Sequence, residues 1–331
     1  MRKIKIDKDL KTEAELFRAR LIKDKAPNTK GLSKLLNKLR PRKHKVYKDY
    51  LKYLIDNYSA IQVATPDEML VWIKKFEALL SKNKLEAILI GKKKFWENIN
   101  TAMYYSYVQT EIFPEYLDKS GIKTCVYCNV QTCVVAEVKY YDRKEKKRNK
   151  VPARPVYQID HFYPKSIYPY FATSFFNLYP SCATCNNIKR EKKALFELYT
   201  ESNDLEVFKY EIQNKELINR YLGASKKMAP LNIVFKSIKD NDKLLNNHNH
   251  FFAVQGVLEK NSDIAEELFL KSKLYSEAYK KSLVESFGNI FKDTKIIDRL
   301  IVGNYTNPDE VHKRPYSKMT QDIARQLKLI D

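Results

Sequence analysis

Two Cys-x-x-Cys pairs, "CVYC" at 125–128 and "CATC" at 182–185, constrain this chain more than any other feature. Each tight turn offers two thiolates, and together they supply the four donors of a closed tetrahedral zinc site. Such a site would oblige segments 53 residues apart to meet. A thioredoxin-like redox pair, or four unrelated core cysteines, are the other readings of these residues. Identical spacing in both pairs, with no βαβ pattern around them, favours the metal. Cys133, the odd cysteine, falls in a strand pattern and is expected to be a small buried residue.

Charge narrows the partners. The chain carries 61 Lys and Arg against 40 Asp and Glu, a net +21. Within residues 1–50 there are 17 basic and 6 acidic side chains, so +11 of the excess lies there. A field of this size attracts polyanions, with nucleic acid the first expectation and an anionic membrane the second. "RARLIKDKAPNTKGLSKLLNKLRPRK" is partly amphipathic but lacks the bulky aromatic face of a membrane-surface anchor. No stretch approaches eighteen apolar residues, so no membrane span is expected. No apolar run follows "MRKIKIDKDLKTE", so neither a secretory signal nor a disulfide framework is expected, and the expected location is the cytoplasm.

Three regions are expected. Residues 1–120 read as a basic helical region for partner docking or nucleic-acid binding, 121–200 as a compact central module, and 201–331 as a mixed, mainly helical region. In "ATPDEMLVWIKKFEALL", Thr65, Pro66 and Glu68 predict an N-cap with a capping box, followed by a stripe of Leu70, Ile73, Phe76 and Leu80. One helix is expected over "KKKFWENINTAMYYSYVQTEIFPEYL", with Phe95, Ile99, Met103 and Tyr107 on one side and Gly121 as its end. "QTCVVAEVKYY" and "RPVYQIDHF" read as strands around a basic hairpin tip at 142–150. Further on, "SDIAEELFLKSKLYSEAYKKSLVESF" reads as helix and "NNHNH" as a polar loop.

Between the knuckles lie "YQIDHFYPKS" and "FFNLYPSC", and the second knuckle continues as "CATCNNIKREK". This ordered set of first knuckle, Asp-His, Asn, second knuckle and helix Asn resembles the HNH (ββα-metal) endonuclease family over residues 121–200. The stretches "CVYC", "IDHFYPKS" and "FNLYPSCATCNNIK" are most similar to the HNH subunit of the bacterial Septu anti-phage system. The resemblance implies an α+β chain, mostly helical, with a central zinc-stabilised ββα-metal module. It implies His161 as general base, Asn177 fixing the loop that carries it, and Asp160 with Asn187 on a catalytic Mg²⁺ or Mn²⁺. Asn186 is the one-residue alternative to Asn187. Structural zinc would be held by Cys125, Cys128, Cys182 and Cys185, while Lys189 and Arg190 would contact flanking phosphates.

The expected function is therefore metal-dependent hydrolysis of phosphodiester bonds, DNA preferred, as the effector of a defence system with an ABC-type ATPase partner. Structured RNA or tRNA is the alternative substrate. A stand-alone restriction-type HNH enzyme is the alternative setting. A zinc-containing nucleic-acid-binding scaffold without catalysis would need the cysteines and the basic surface, but not Asp160, His161, Asn177 and Asn187 together.

Overall fold

The computed structural model describes residues 1–24, 29–142, 147–221, 231–288 and 294–331. They form an α+β fold, mostly helical, divided into two units. The larger takes Ile4–Ser120 and Val134–Asn203; the smaller takes Met1–Lys3, Gly121–Cys133 and Asp204–Asp331. The window expected as one module, 121–200, is thus shared between them.

The larger unit begins with β1 (Ile4–Lys5), α1 (Lys8–Asp24), α2 (Thr29–Lys38), α3 (Lys45–Gln62) and α4 (Pro66–Leu79). α4 starts as its sequence dictates: Pro66 sits in the first turn, and the Thr65 N–H donates to the Glu68 carboxylate at 2.8 Å in a capping box. Its inward stripe is narrower than expected and carries Met69, Phe76 and Leu80, whereas Leu70 is 46% exposed.

α5 (Lys82–Ala87) and the ribbon of β2 (Leu89–Ile90) and β3 (Lys93–Lys94) lead to α6 (Phe95–Ala102), α7 (Tyr105–Tyr107) and α8 (Phe113–Ser120). The continuous helix expected here is broken. Tyr104 is left-handed with φ 58°, and Val108–Ile112 form a π-turn. The break resets the period: Phe95, Ile99 and Met103 stay in the core, but Tyr105 and Val108 follow them instead of Tyr107. Gly31 of α2 lies so close to α6 that an added Cβ would fall on the Ala102 carbonyl oxygen.

β4 (Val134–Asp142) and β5 (Lys147–Val156) form the expected antiparallel hairpin; of the tip expected at 142–150, residues 142 and 147–150 belong to the strands and 143–146 lie outside the described residues. The single strand expected over "RPVYQIDHF" is divided, because β5 pairs with β4 while β6 (Gln158–His161) pairs with β7 (Leu178–Ser181). α9 (Ala183–Lys189) and β8 (Tyr199–Thr200) complete the unit, with β8 parallel to β1. The helical layer grips the segment between β6 and β7. Phe76 stacks on Tyr170 with centroids 4.0 Å apart, the Tyr58 hydroxyl meets Thr173 Oγ1 at 2.9 Å, and Ser174 Oγ donates to the Ile61 carbonyl at 2.8 Å. These contacts bury large aromatic faces and satisfy the polar atoms that go in with them.

In the smaller unit, β9 (Phe208–Ile212) is followed by α10 (Asn214–Tyr221), and β10 (Ile233–Ser237) pairs antiparallel with β9. Then come α11 (Asp242–Phe252), α12 (Val254–Glu259), α13 (Asp263–Leu274), α14 (Glu277–Ser286), α15 (Thr294–Val302) and α16 (Ser317–Gln326). The second edge of β9 is met by side chains of α16. The Tyr210 N–H donates to Asp322 Oδ2 at 3.0 Å, while Gln326 accepts the Ile212 N–H and donates to its carbonyl, each at 2.8 Å. The long helix expected across 262–287 forms as α13 and α14. "NNHNH" is not a loop but part of α11, where His248, Phe251 and Phe252 share the buried side. His248 Nε2 donates to the Tyr127 carbonyl at 2.8 Å. No helix among the described residues is long and apolar enough to cross a membrane.

Candidate active site and thiol cluster

The β6–β7 ladder sets Asp160 opposite Tyr179 and His161 opposite Leu178. Successive side chains of a strand leave on opposite faces, and here both are buried, at 2% and 5% exposure. Just beyond β6 the chain turns around Asn177, which is fully buried. Its Oδ1 accepts the Tyr163 N–H at 2.7 Å, and its Nδ2 donates to the carbonyls of Tyr163 and Phe171, each at 3.1 Å. One side chain thereby satisfies three backbone groups of the loop that follows His161.

His161 Nε2 lies 3.0 Å from the Ala172 carbonyl oxygen, and the Tyr105 ring packs 5.0 Å from the imidazole. A carbonyl only accepts, so Nε2 carries the proton and Nδ1 keeps the lone pair. Burial, and then the nearby ammonium of Lys165, push the His161 pKa down to about 3, so the ring is neutral near pH 7.

Lys189 does not stand at the surface to contact phosphates. It is fully buried, one turn after Cys185 on the inward face of α9, and donates to Asp160 Oδ1 at 3.0 Å and to the His161 carbonyl at 2.9 Å. Arg190 follows with φ 48° and is turned outward, its Nε donating to the Asn187 carbonyl at 3.0 Å. Asn187 is exposed as well. Asn186 is half-buried, and its Nδ2 donates to Gln158 Oε1 at 2.7 Å, which leaves Oδ1 as its acceptor.

A cavity of about 200 Å³ brings several of these groups together. Asp160, His161, Asn186 and Arg190 line it, joined by Trp96, Lys165, Ser166 and Glu191; Asn177 and Asn187 do not. The Lys165 ammonium sits 3.9 Å from the centroid of the Tyr105 ring, and burial lowers its pKa to about 8. Lys165 and Ser166 lie in the "YPKS" that follows His161, close enough in sequence to have been suspected. Trp96, far upstream on α6, had no such signal. The carboxylate of Asp160 and the amide oxygen of Asn186 are hard donors of the kind a divalent cation takes.

The four thiols form a second cluster. The sulfurs of Cys125, Cys128, Cys182 and Cys185 all lie within 4.8 Å of one another, and all four residues are buried. At the second knuckle, Cys182 caps α9 and its Sγ accepts the Cys185 N–H at 3.4 Å. At the first, the Asn129 N–H donates to the Cys125 carbonyl at 2.9 Å, and Asn129 takes φ 55° to turn the chain. Tetrahedral zinc with Zn–S bonds of about 2.3 Å sets its sulfurs about 3.8 Å apart, so the donor set is one that could hold a metal ion. Cys133 is buried apart from the cluster, as a small core residue. No protein-family model, curated protein or solved structure matches the chain.

Proposed function

We propose that the chain is a metal-dependent nuclease that hydrolyses phosphodiester bonds at the cavity holding Asp160 and His161. The observation that carries this reading is the paired geometry there. A histidine whose Nε2–H is committed to the Ala172 carbonyl keeps an unprotonated Nδ1, and it lines the same cavity as an aspartate. Hydrolysis of a phosphodiester needs a base to take a proton from the attacking water. His161 is the group suited to that, with Asn177 and Tyr105 holding the loop and the ring. A phosphate arriving beside the imidazole would favour its charged form and so raise its basicity from the low value of the free protein. Asp160 and Asn186 would hold Mg²⁺ or Mn²⁺, which would offset charge on the phosphate and the departing oxygen. In this reading Asn186 replaces Asn187, since it is the asparagine that reaches the cavity.

The thiol cluster is read as a structural zinc site, because four sulfur donors close the tetrahedron and leave no position for substrate. The net charge of +21 suits a polyanionic substrate. DNA is the first substrate to try and structured RNA the second. The likeness to Septu nucleases makes an ABC-type ATPase the partner to test.

The deciding experiment incubates the protein with Mg²⁺ or Mn²⁺ and either supercoiled plasmid or total tRNA, beside His161→Ala. Metal-dependent cutting of one substrate, lost in the variant, is the expected result. Cutting that persists in a folded His161→Ala protein, or no cutting with and without the ATPase, would sink the reading.

A further inference from the structure

Three groups in the same cavity have no part in the chemistry above, and two of them lack partners. Trp96 of α6 and Ser166 of the loop after β6 line it together with Asp160 and His161. The indole Nε1 and Ser166 Oγ are shut from solvent, and neither has a hydrogen-bond partner among the described residues. Ser166 is only 4% exposed. An indole N–H can only donate, and a buried donor left unmade is costly. Beside them, the Lys165 ammonium rests over the Tyr105 ring, a seat that fixes the charge without neutralising it. Burial depresses its pKa. Of the two acids that line the cavity, Asp160 is already paired with Lys189 and Glu191 is exposed to solvent.

We propose that Trp96, Lys165 and Ser166 form a subsite for one phosphate of a nucleic-acid strand, flanking the phosphodiester presented to His161. The choice of nucleic acid rests on the nuclease reading; the donor set itself points to a tetrahedral oxyanion. One ammonium and two neutral donors border the cavity from two segments of the chain, and a phosphate has enough acceptor oxygens for all three once the two shielded donors turn to meet it. Contacts of this kind follow the backbone and read no base, so the subsite grips strands of any sequence. It also makes α6 part of the substrate-binding surface.

The test measures binding of a labelled oligonucleotide without added divalent metal, over a range of salt. Lys165→Met is expected to weaken binding about tenfold and to reduce the salt slope by about one. Trp96→Phe and Ser166→Ala each weaken it severalfold, and Lys165→Arg restores most of the loss. The sequence holds two tryptophans, so in a Trp72→Phe chain the emission of Trp96 alone shifts on saturation, and Lys165→Met removes the shift. Unchanged affinity and slope in Lys165→Met, with a silent Trp96, overturn the proposal. Should Lys165→Met fail to fold, the shape-preserving Trp96→Phe and Ser166→Ala decide: wild-type affinity in both overturns it. Wild-type protein that shows this binding pattern but does not cut supports the subsite and removes the nuclease reading. Protein that cuts, with variants at the wild-type KM, does the reverse.

Discussion

Lys189 and His161 show how much one side chain decides here. Lys189 and Asp160 form an ion pair of 3.0 Å with side chains 0% and 3% exposed. Removing one partner of a buried pair leaves the other charge stranded, at about 3–5 kcal/mol. Lys189→Met is therefore expected to lower unfolding stability by about that amount in urea titration, and adding Asp160→Asn to recover much of it. Additive losses in the double variant would show that the two residues do not depend on each other. His161→Ala removes one hydrogen bond to Ala172 and no charge, so it should cost no more than about 1–3 kcal/mol while abolishing cutting. The sequence could not reveal the Lys189–Asp160 pair. Which face of a seven-residue helix turns inward depends on the ladder it packs against, and "NNIKR" fits either register. For the same reason a motif register alone chose Asn187 where the cavity is lined by Asn186.

Helices were legible where local rules govern them. The Thr65–Glu68 capping box and the Gly121 stop follow from side-chain chemistry and from a φ of 69° that glycine adopts without strain. The break at Tyr104 was not legible, because nothing in "TAMYYSY" forbids a helix and a left-handed tyrosine is imposed by packing. The close approach of α2 to α6 is another feature of packing alone. Gly31→Ala must push the Ala102 carbonyl away, and overpacking of this kind costs about 1–3 kcal/mol. Since α6 also bears Trp96, the same change should alter Trp96 emission in a Trp72→Phe chain. A melting temperature equal to that of the parent would mean that α2 and α6 separate freely.

Across the whole molecule, bound metal and protons are expected to set the conditions for stability. Cys182→Ser is expected to lose about one equivalent of zinc per chain, with soluble yield, whereas Cys133→Ala keeps its metal. Metal analysis that finds equal zinc in wild type and Cys182→Ser would break the four-thiol assignment. In the smaller unit, burial holds the pKa of His248 near 3 and that of His312 near 4, against about 6.5 in an unfolded chain. The native unit binds fewer protons over that interval, so its stability is complete above pH 6.5 and declines as pH falls towards 4. The slope is at most about 1.4 kcal/mol per pH unit for each histidine. Urea midpoints equal at pH 7.5 and pH 5 would contradict this. One further consequence belongs to the chain as it is being made. The β9 edge is met by Asp322, 112 residues later, and translation at about 5–20 residues per second takes on the order of ten seconds to supply that partner. For that interval a ribosome-bound chain carries Phe208, Tyr210 and Ile212 on an open strand edge, the kind of surface that pairs with a neighbouring nascent chain or a chaperone.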